Sequence, residues 1–130
     1  MTAPCDLGAL ALGRLIASGA LSAEEAARAH LDRARATAHW NAFLALDEEK
    51  VLGQARAVDA RLLAGERPSP LAGVPVAVKD NICVEGWQAT AGSRMLAGWR
   101  SPYDATSIAR LRAAGCVVLG KTNCDEFAMG

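Results

Sequence analysis

Apolar residues keep helical spacing through the first half of the chain and give way to short continuous runs in the second. Asp6 is placed to cap a short helix that ends near Gly19. Ser22 and Glu25 form a Ser-x-x-Glu capping box, predicting a second helix with Ala27, Leu31, Ala34 and Ala38 on its inner face. An extended piece, Ala42 to Leu46, leads to a third helix from about Glu48 to Ala64. Val51, Ala55, Val58 and Leu62 form its apolar stripe, and Gly65 is a natural C′ residue. Arg67-Pro68-Ser69-Pro70 reads as a linker-like break. Nothing in these helices demands chemistry; they read as a packing layer or an interaction surface.

Beyond the break, Val76, Ala77 and Val78 read as a buried strand with Lys79 at its end. A glycine-containing loop, Gly86 to Tyr103, follows. Asp104 is expected to start a helix with Ile108 and Leu111 as its stripe and Gly115 as its stop, and Cys116 to Leu119 is a second apolar strand. Strand, helix, strand is a crossover unit, so the two strands are expected to run parallel with a right-handed connection. The pattern predicts an α/β fold: N-terminal helices, then the start of a mixed, partly parallel sheet. Such sheets place ligands beyond the carboxyl ends of their strands, where Lys79 and Lys121 both fall.

Composition narrows the class. With 130 residues, 52% hydrophobic and 22% charged, the chain has the length of one domain and enough apolar material for a core. Fourteen basic residues balance fourteen acidic ones, which gives no electrostatic case for nucleic acid or a membrane surface. Cys5, Cys83, Cys116 and Cys124 lie far apart, without the spacing of a zinc or dithiol site, and suggest a reducing compartment, though an even number leaves disulfides open. No basic segment precedes Arg14 and no apolar run approaches a membrane span, so the expectation is a soluble, cytoplasmic protein.

Gly115 to Thr122 matches G-x-x-x-x-G-K-[ST] letter for letter. A phosphate loop needs a strand before the first glycine and a flexible turn between the two. Here the middle residues, Cys-Val-Val-Leu, form the strand themselves, which argues against a nucleotide site. His30 and His39 belong to the second helix or its end, so the second half has no local histidine base. Glu24, Glu25, Glu48 and Glu49 are helix-start residues favoured by the dipole. Lys79 has two readings. It can snorkel out and pair with Asp80, Asp125 or Glu126. It can instead be a desolvated amine of lowered pKa, a base for a hydroxyl nucleophile. Position alone leaves both open.

Leu71-Ala-Gly-Val-Pro-Val-Ala-Val-Lys-Asp-Asn-Ile82 resembles the amidase signature family, as do Asp104-Ala-Thr106 and the stretch from Leu111 to Gly130. That last stretch is most similar to the glutaminase chains of the aspartyl/glutamyl-tRNA amidotransferases, a branch of the family. Ser22-Ala-Glu-Glu25 and Asn41-Ala-Phe43 are weakly similar to their N-terminal helices. The resemblance implies a Ser–cis-Ser–Lys triad in which Lys79 is the lysine. It also implies glutamine hydrolysis, with ammonia passed to a partner that amidates misacylated Glu-tRNA(Gln) or Asp-tRNA(Asn).

The partners implied are the tRNA-binding B subunit and the small C subunit of such an amidotransferase. ATP and magnesium would be used by the assembled complex, with no cofactor, nucleic acid or membrane bound by this chain itself. Ser18, Ser22, Ser69, Ser93, Ser101 and Ser107 match neither serine of the triad. The expectation is therefore the N-terminal part of a single amidase domain, residues 1–66 a helical layer and 71–130 the strand-helix-strand unit, stopping before the serines and inactive alone. A stand-alone amidase for another carboxamide and a non-catalytic interaction module are the rival readings.

Overall fold

In the computed structural model, which describes residues 2–130, the capping box forms in full. Ser22 Oγ accepts from the Glu25 backbone N–H at 3.0 Å, and the Glu25 carboxylate accepts from the Ser22 N–H at 2.8 Å. The box opens α2 (Ala23–Ala36), which follows α1 (Ala9–Ala17). A second cap comes from α3 (Glu48–Leu63): Asp59 accepts from the N–H groups of Ala23 at 2.7 Å and Glu24 at 3.0 Å. The N–H groups that a helix leaves orphaned at its start are thereby satisfied. Ala23, Ala26, Ala27, Leu31 and Ala34 of α2 are buried, as are Val51, Leu52, Ala55 and Val58 of α3. Small residues on α2 let the two helices approach closely.

Two boundaries differ from the periodicity. Asp6 does not cap α1; it ends a short 3₁₀ turn, Pro4–Asp6, and its carboxylate pairs with Arg33 at 3.1 Å, while Gly8 takes the N-cap place without a side-chain bond. Ala38 does not extend the stripe of α2. The helix stops at Ala36, and Ala38 lies exposed in a 3₁₀ turn that ends at Asn41, whose φ of 52° closes the helical path.

The sheet has three strands in the order β1 (Phe43–Ala45), β3 (Val117–Thr122), β2 (Pro75–Lys79). β2 and β3 are parallel and joined through α4 (Thr106–Ala113), the expected crossover; β1 runs antiparallel to β3. The extended piece of the first half therefore joins the sheet. β3 is longer than its apolar run because Gly120 belongs to it. A Cβ there would lie 2.7 Å from Ala45 O and 3.0 Å from Phe43 Cδ1, so the glycine is what allows β1 to lie alongside.

Where β1 has ended, Gln54 of α3 takes over: its amide donates to Val118 O at 3.2 Å and accepts from Val118 N at 3.1 Å. The helix after the long loop begins at Thr106, because Asp104 is engaged elsewhere. It accepts from Glu85 N at 2.8 Å and pairs with Arg112 at 3.4 Å. Among the described residues, no helix is long and apolar enough to cross a membrane, and all four cysteines are free thiols.

Candidate active site

Successive residues of β2 point to opposite faces, and the alternation decides which charge is buried. Val78 is 3% exposed and Asp80, just past the strand, is fully enclosed; Ala77 and Lys79 between and beside them are exposed. The expectation of a buried strand around Lys79 is corrected accordingly. β2 lies at the sheet edge, Val76 is only half-buried, and the face carrying Ala77 and Lys79 is open to solvent. The expected ion pairs of Lys79 are also absent among the described residues. Asp80 turns inward, Glu126 accepts from the Ser93 hydroxyl at 2.7 Å, and Asp125 forms no ion pair. Lys79 stands next to Thr122 in the parallel register, at the carboxyl ends of both strands, with its side chain unpartnered.

The desolvated lysine is Lys121. Its side chain and that of Asp80 are both 0% exposed, with Nζ 3.2 Å from Asp80 Oδ1. Nζ also donates to Ile82 O at 2.7 Å and Gln88 O at 2.8 Å. Asp80 Oδ2 accepts from Gln88 Nε2 at 2.9 Å, from Thr90 N at 3.1 Å and, more tightly, from the Thr90 hydroxyl. Asp80 Oδ1 has no well-aligned hydrogen-bond donor, so charge attraction to Lys121 is its compensation. Half of this arrangement could be read from β2 alone, where Asp80 is in step with Val78. Lys121 comes to lie beside Val78 because the register shifts between the pairs Val76–Val118 and Ala77–Gly120, and with residues 117–121 all buried β3 offers no alternation to read. Read as a phosphate loop, the same lysine would have to extend from a turn; residues 117–122 are strand throughout, and Gly115 ends α4 with φ +84°.

Two loops rise beside the strand ends. Ala91 N donates to Asp80 O at 3.0 Å, and Phe127 N to Ala91 O at 2.8 Å. Gly92, with φ +67°, lies so close to the second loop that a Cβ would stand 2.6 Å from Cys124 O. A shallow hollow of about 250 Å³ opens between them, lined by Gln88, Thr90, Ser93, Arg94 and Asn123 among others; Lys79 lies outside it. A larger hollow, about 470 Å³, sits among the N-terminal helices, remote from the strand ends.

None of the six serines bonds to Lys79. Ser93 and Ser101 are buried, Ser101 donating to Tyr103 O at 2.6 Å, and Ser69 donates to Ala114 O at 2.7 Å. His30 bonds to Ala26 O at 2.7 Å within α2, while His39 is exposed and lies edge-on to Trp40, and among the described residues neither bonds to Lys79. The Tyr103 hydroxyl is held above its ordinary pKa, chiefly by its hydrogen bond with Cys83.

Residues 25–130 match the amidase family. The A subunit of glutamyl-tRNA(Gln) amidotransferase from Salinispora arenicola is 59% identical across the whole of this chain, which spans 27% of that protein. The protein of the same description from Thermobifida fusca is 56% identical over the whole chain, which spans 26% of it. The chain thus covers about a quarter of the length of these relatives. Among solved structures, the native peptide amidase of Stenotrophomonas maltophilia superposes with a TM-score of 0.84 at 36% identity, over 89% of this chain and 24% of that one.

Proposed function

The chain belongs to the amidase family, and from that premise we propose that it is the N-terminal part of the glutamine-hydrolysing subunit of a tRNA amidotransferase. Lys79 is the base of its Ser–cis-Ser–Lys triad. The observation that carries this reading is the situation of Lys79: an amine at the carboxyl end of a parallel strand, facing outward with no carboxylate to hold it as a structural cation. Identity to the amidotransferase relatives, 59% against 36% for the peptide amidase, favours glutamine over other carboxamides.

Under this reading both serines belong to sequence beyond Gly130. The nucleophilic serine oxygen attacks the carboxamide carbon of glutamine, and its proton passes through the bridging serine to the amine nitrogen of Lys79. The tetrahedral intermediate collapses, and the proton returns by the same route to the departing nitrogen, which leaves as ammonia. Water then attacks the acyl-enzyme carbon, gives a proton to the same relay, and releases glutamate. The tRNA-binding partner, assisted by the small third component, receives the ammonia and amidates the misacylated tRNA; ATP and magnesium act there, in the cytoplasm.

The test uses the full-length chain with its partner subunits. Arginine keeps the charge of Lys79 and stays protonated, so it can hold a salt bridge but cannot accept a proton. Lys79→Arg and Lys79→Ala are both expected to lose roughly 10²–10⁴-fold in glutaminase turnover, the usual range for a missing general base, with melting curves like wild type. A folded arginine variant that keeps most of the turnover would overturn the assignment.

A further inference from the structure

Lys79 has nothing of its own to aim it. Its side chain is exposed and without a partner among the described residues, and a free lysine side chain is rich in rotamer entropy. Its direction must therefore come from the backbone, and the backbone around it is held from one place. Asp80 N donates to Thr122 O at 3.0 Å and Ile82 N donates to Lys79 O at 3.0 Å, which fixes both peptide groups flanking the turn. Beneath them, every polar contact of the Lys121 ammonium is to the segment that follows Lys79: Asp80, Ile82 O and Gln88 O. Every side-chain contact of Asp80 other than Lys121 is to Gln88 and Thr90. Ala91, the next residue, then accepts from Phe127, so the same network also places the second loop of the rim.

A buried ion pair is a poor device for stability alone. Desolvation of two charges cancels much of their attraction, and apolar replacements of similar volume are often as stable or more so. Its distinctive property is directional: carboxylate and ammonium fix each other and the carbonyls around them in one arrangement. Here that arrangement forces Asp80 inward, and strand alternation then forces Lys79 outward. We infer that the buried Asp80–Lys121 pair, with Thr90, is the positioning element of the active-site lysine. Resting on the role proposed above for Lys79, this assigns to Lys121 the task of holding the base where the serine relay must meet it. Neither Asp80 nor Lys121 touches substrate; both act through the backbone of Lys79.

The experiment compares variants of the full-length chain in its complex, by steady-state glutamine hydrolysis and thermal melting. The double variant Asp80→Asn/Lys121→Met removes both charges together, so no lone buried ion remains and folding is retained. Its kcat is expected to fall roughly a hundredfold, the scale of a misplacement near an ångström, with KM for glutamine little changed. Thr90→Val removes one charge-assisted bond to Asp80 and should lower kcat about tenfold, while Thr90→Ser, which keeps the hydroxyl, restores it.

A folded double variant with wild-type kcat would overturn the inference. So would wild-type turnover in Thr90→Val, which decides the matter if the double variant does not fold. Lys79→Arg separates the premises. If that variant is active, the triad assignment has failed; if it is inactive while the double variant is fully active, only the positioning role has failed.

Discussion

Cys116 stands at the foot of β3 with 6% of its surface exposed and its thiol 3.7 Å from Leu71 O. Burial pushes its pKa up, because the thiolate would lose its hydration. A thiol reagent at mildly alkaline pH is therefore expected to modify Cys5, Cys83 and Cys124, which are all partly accessible, and to reach Cys116 only when the chain is unfolded. The sign for stability follows. The folded thiol keeps its proton at a pH where the unfolded one, with a pKa of about 8.5, has lost it, so stability declines as pH rises past that value. Denaturation midpoints at neutral and alkaline pH, compared between wild type and Cys116→Ala, should show a smaller decline in the variant. At this scale the chemistry was half legible. The residue type and place of Lys79 could be read from its strand and its motif. Its exposure could not, because the apolar run Val76 to Val78 looks the same at a sheet edge as in a sheet centre. Which lysine is buried depends on register against a neighbouring strand, a fact distributed over Val78, Asp80 and Lys121.

The elements defined by local bonds were read best. The capping box of α2 uses residues three apart, and its two bonds stand as the pattern requires. The Glu25 carboxyl lies below its ordinary pKa, first because of the Ser22 backbone N–H and then the Ser22 hydroxyl. A depressed carboxyl stabilises the fold above its unfolded pKa and ceases to do so as pH falls through its folded value. Glu25→Gln should thus flatten the acid limb of stability while Ser22→Ala lowers stability by about 1 kcal/mol at neutral pH, both measured by denaturant titration followed by circular dichroism. Elements whose ends are set from a distance were misjudged. Asp104 offers a good N-cap by composition, yet a backbone N–H nineteen residues earlier takes its carboxylate. Asp59, a polar residue beside the apolar stripe of α3, supplies the second cap of α2, and no local pattern announces it.

For the whole molecule, the parallel pairing of β2 with β3 was legible in the strand-helix-strand pattern. The place of β1 was not, since three residues carry little period. β3 lies between its neighbours, with Gln54 closing the stretch beyond β1, but β2 has one partner among the described residues. A strand with a free edge is a template for pairing with another chain. The 130-residue chain by itself is therefore expected to self-associate as its concentration rises, as followed by light scattering. Ala77→Lys, which sets a charge on the exposed face of that strand, should suppress the association. A chain that stays monomeric at high concentration without the substitution would show that the β2 edge is protected.

Arg67-Pro68-Ser69-Pro70 has the composition of a seam, but the fold gives it the contacts of a weld. A side chain at Gly13 in α1 would stand 2.1 Å from Pro70 O, and one at Gly115 would meet both Ala72 and Pro68 at 3.2 Å. The Ser69 hydroxyl ties this stretch to the end of α4, and Gly73 N donates to Gly115 O at 2.8 Å. The consequence concerns how such a chain can be shuffled. A recombination crossover at the prolines would join α1 from one parent to a linker and α4 from another, across a contact at Gly13 that has no room for a methyl group and one at Gly115 that leaves only a tight fit. Chimeras of diverged parents should survive when these glycines and the proline stretch are inherited as one block, so the best places to exchange segments lie in exposed turns such as Gly98 and Trp99, provided the glycine itself is kept, since its φ of +82° strains any other residue although nothing crowds it.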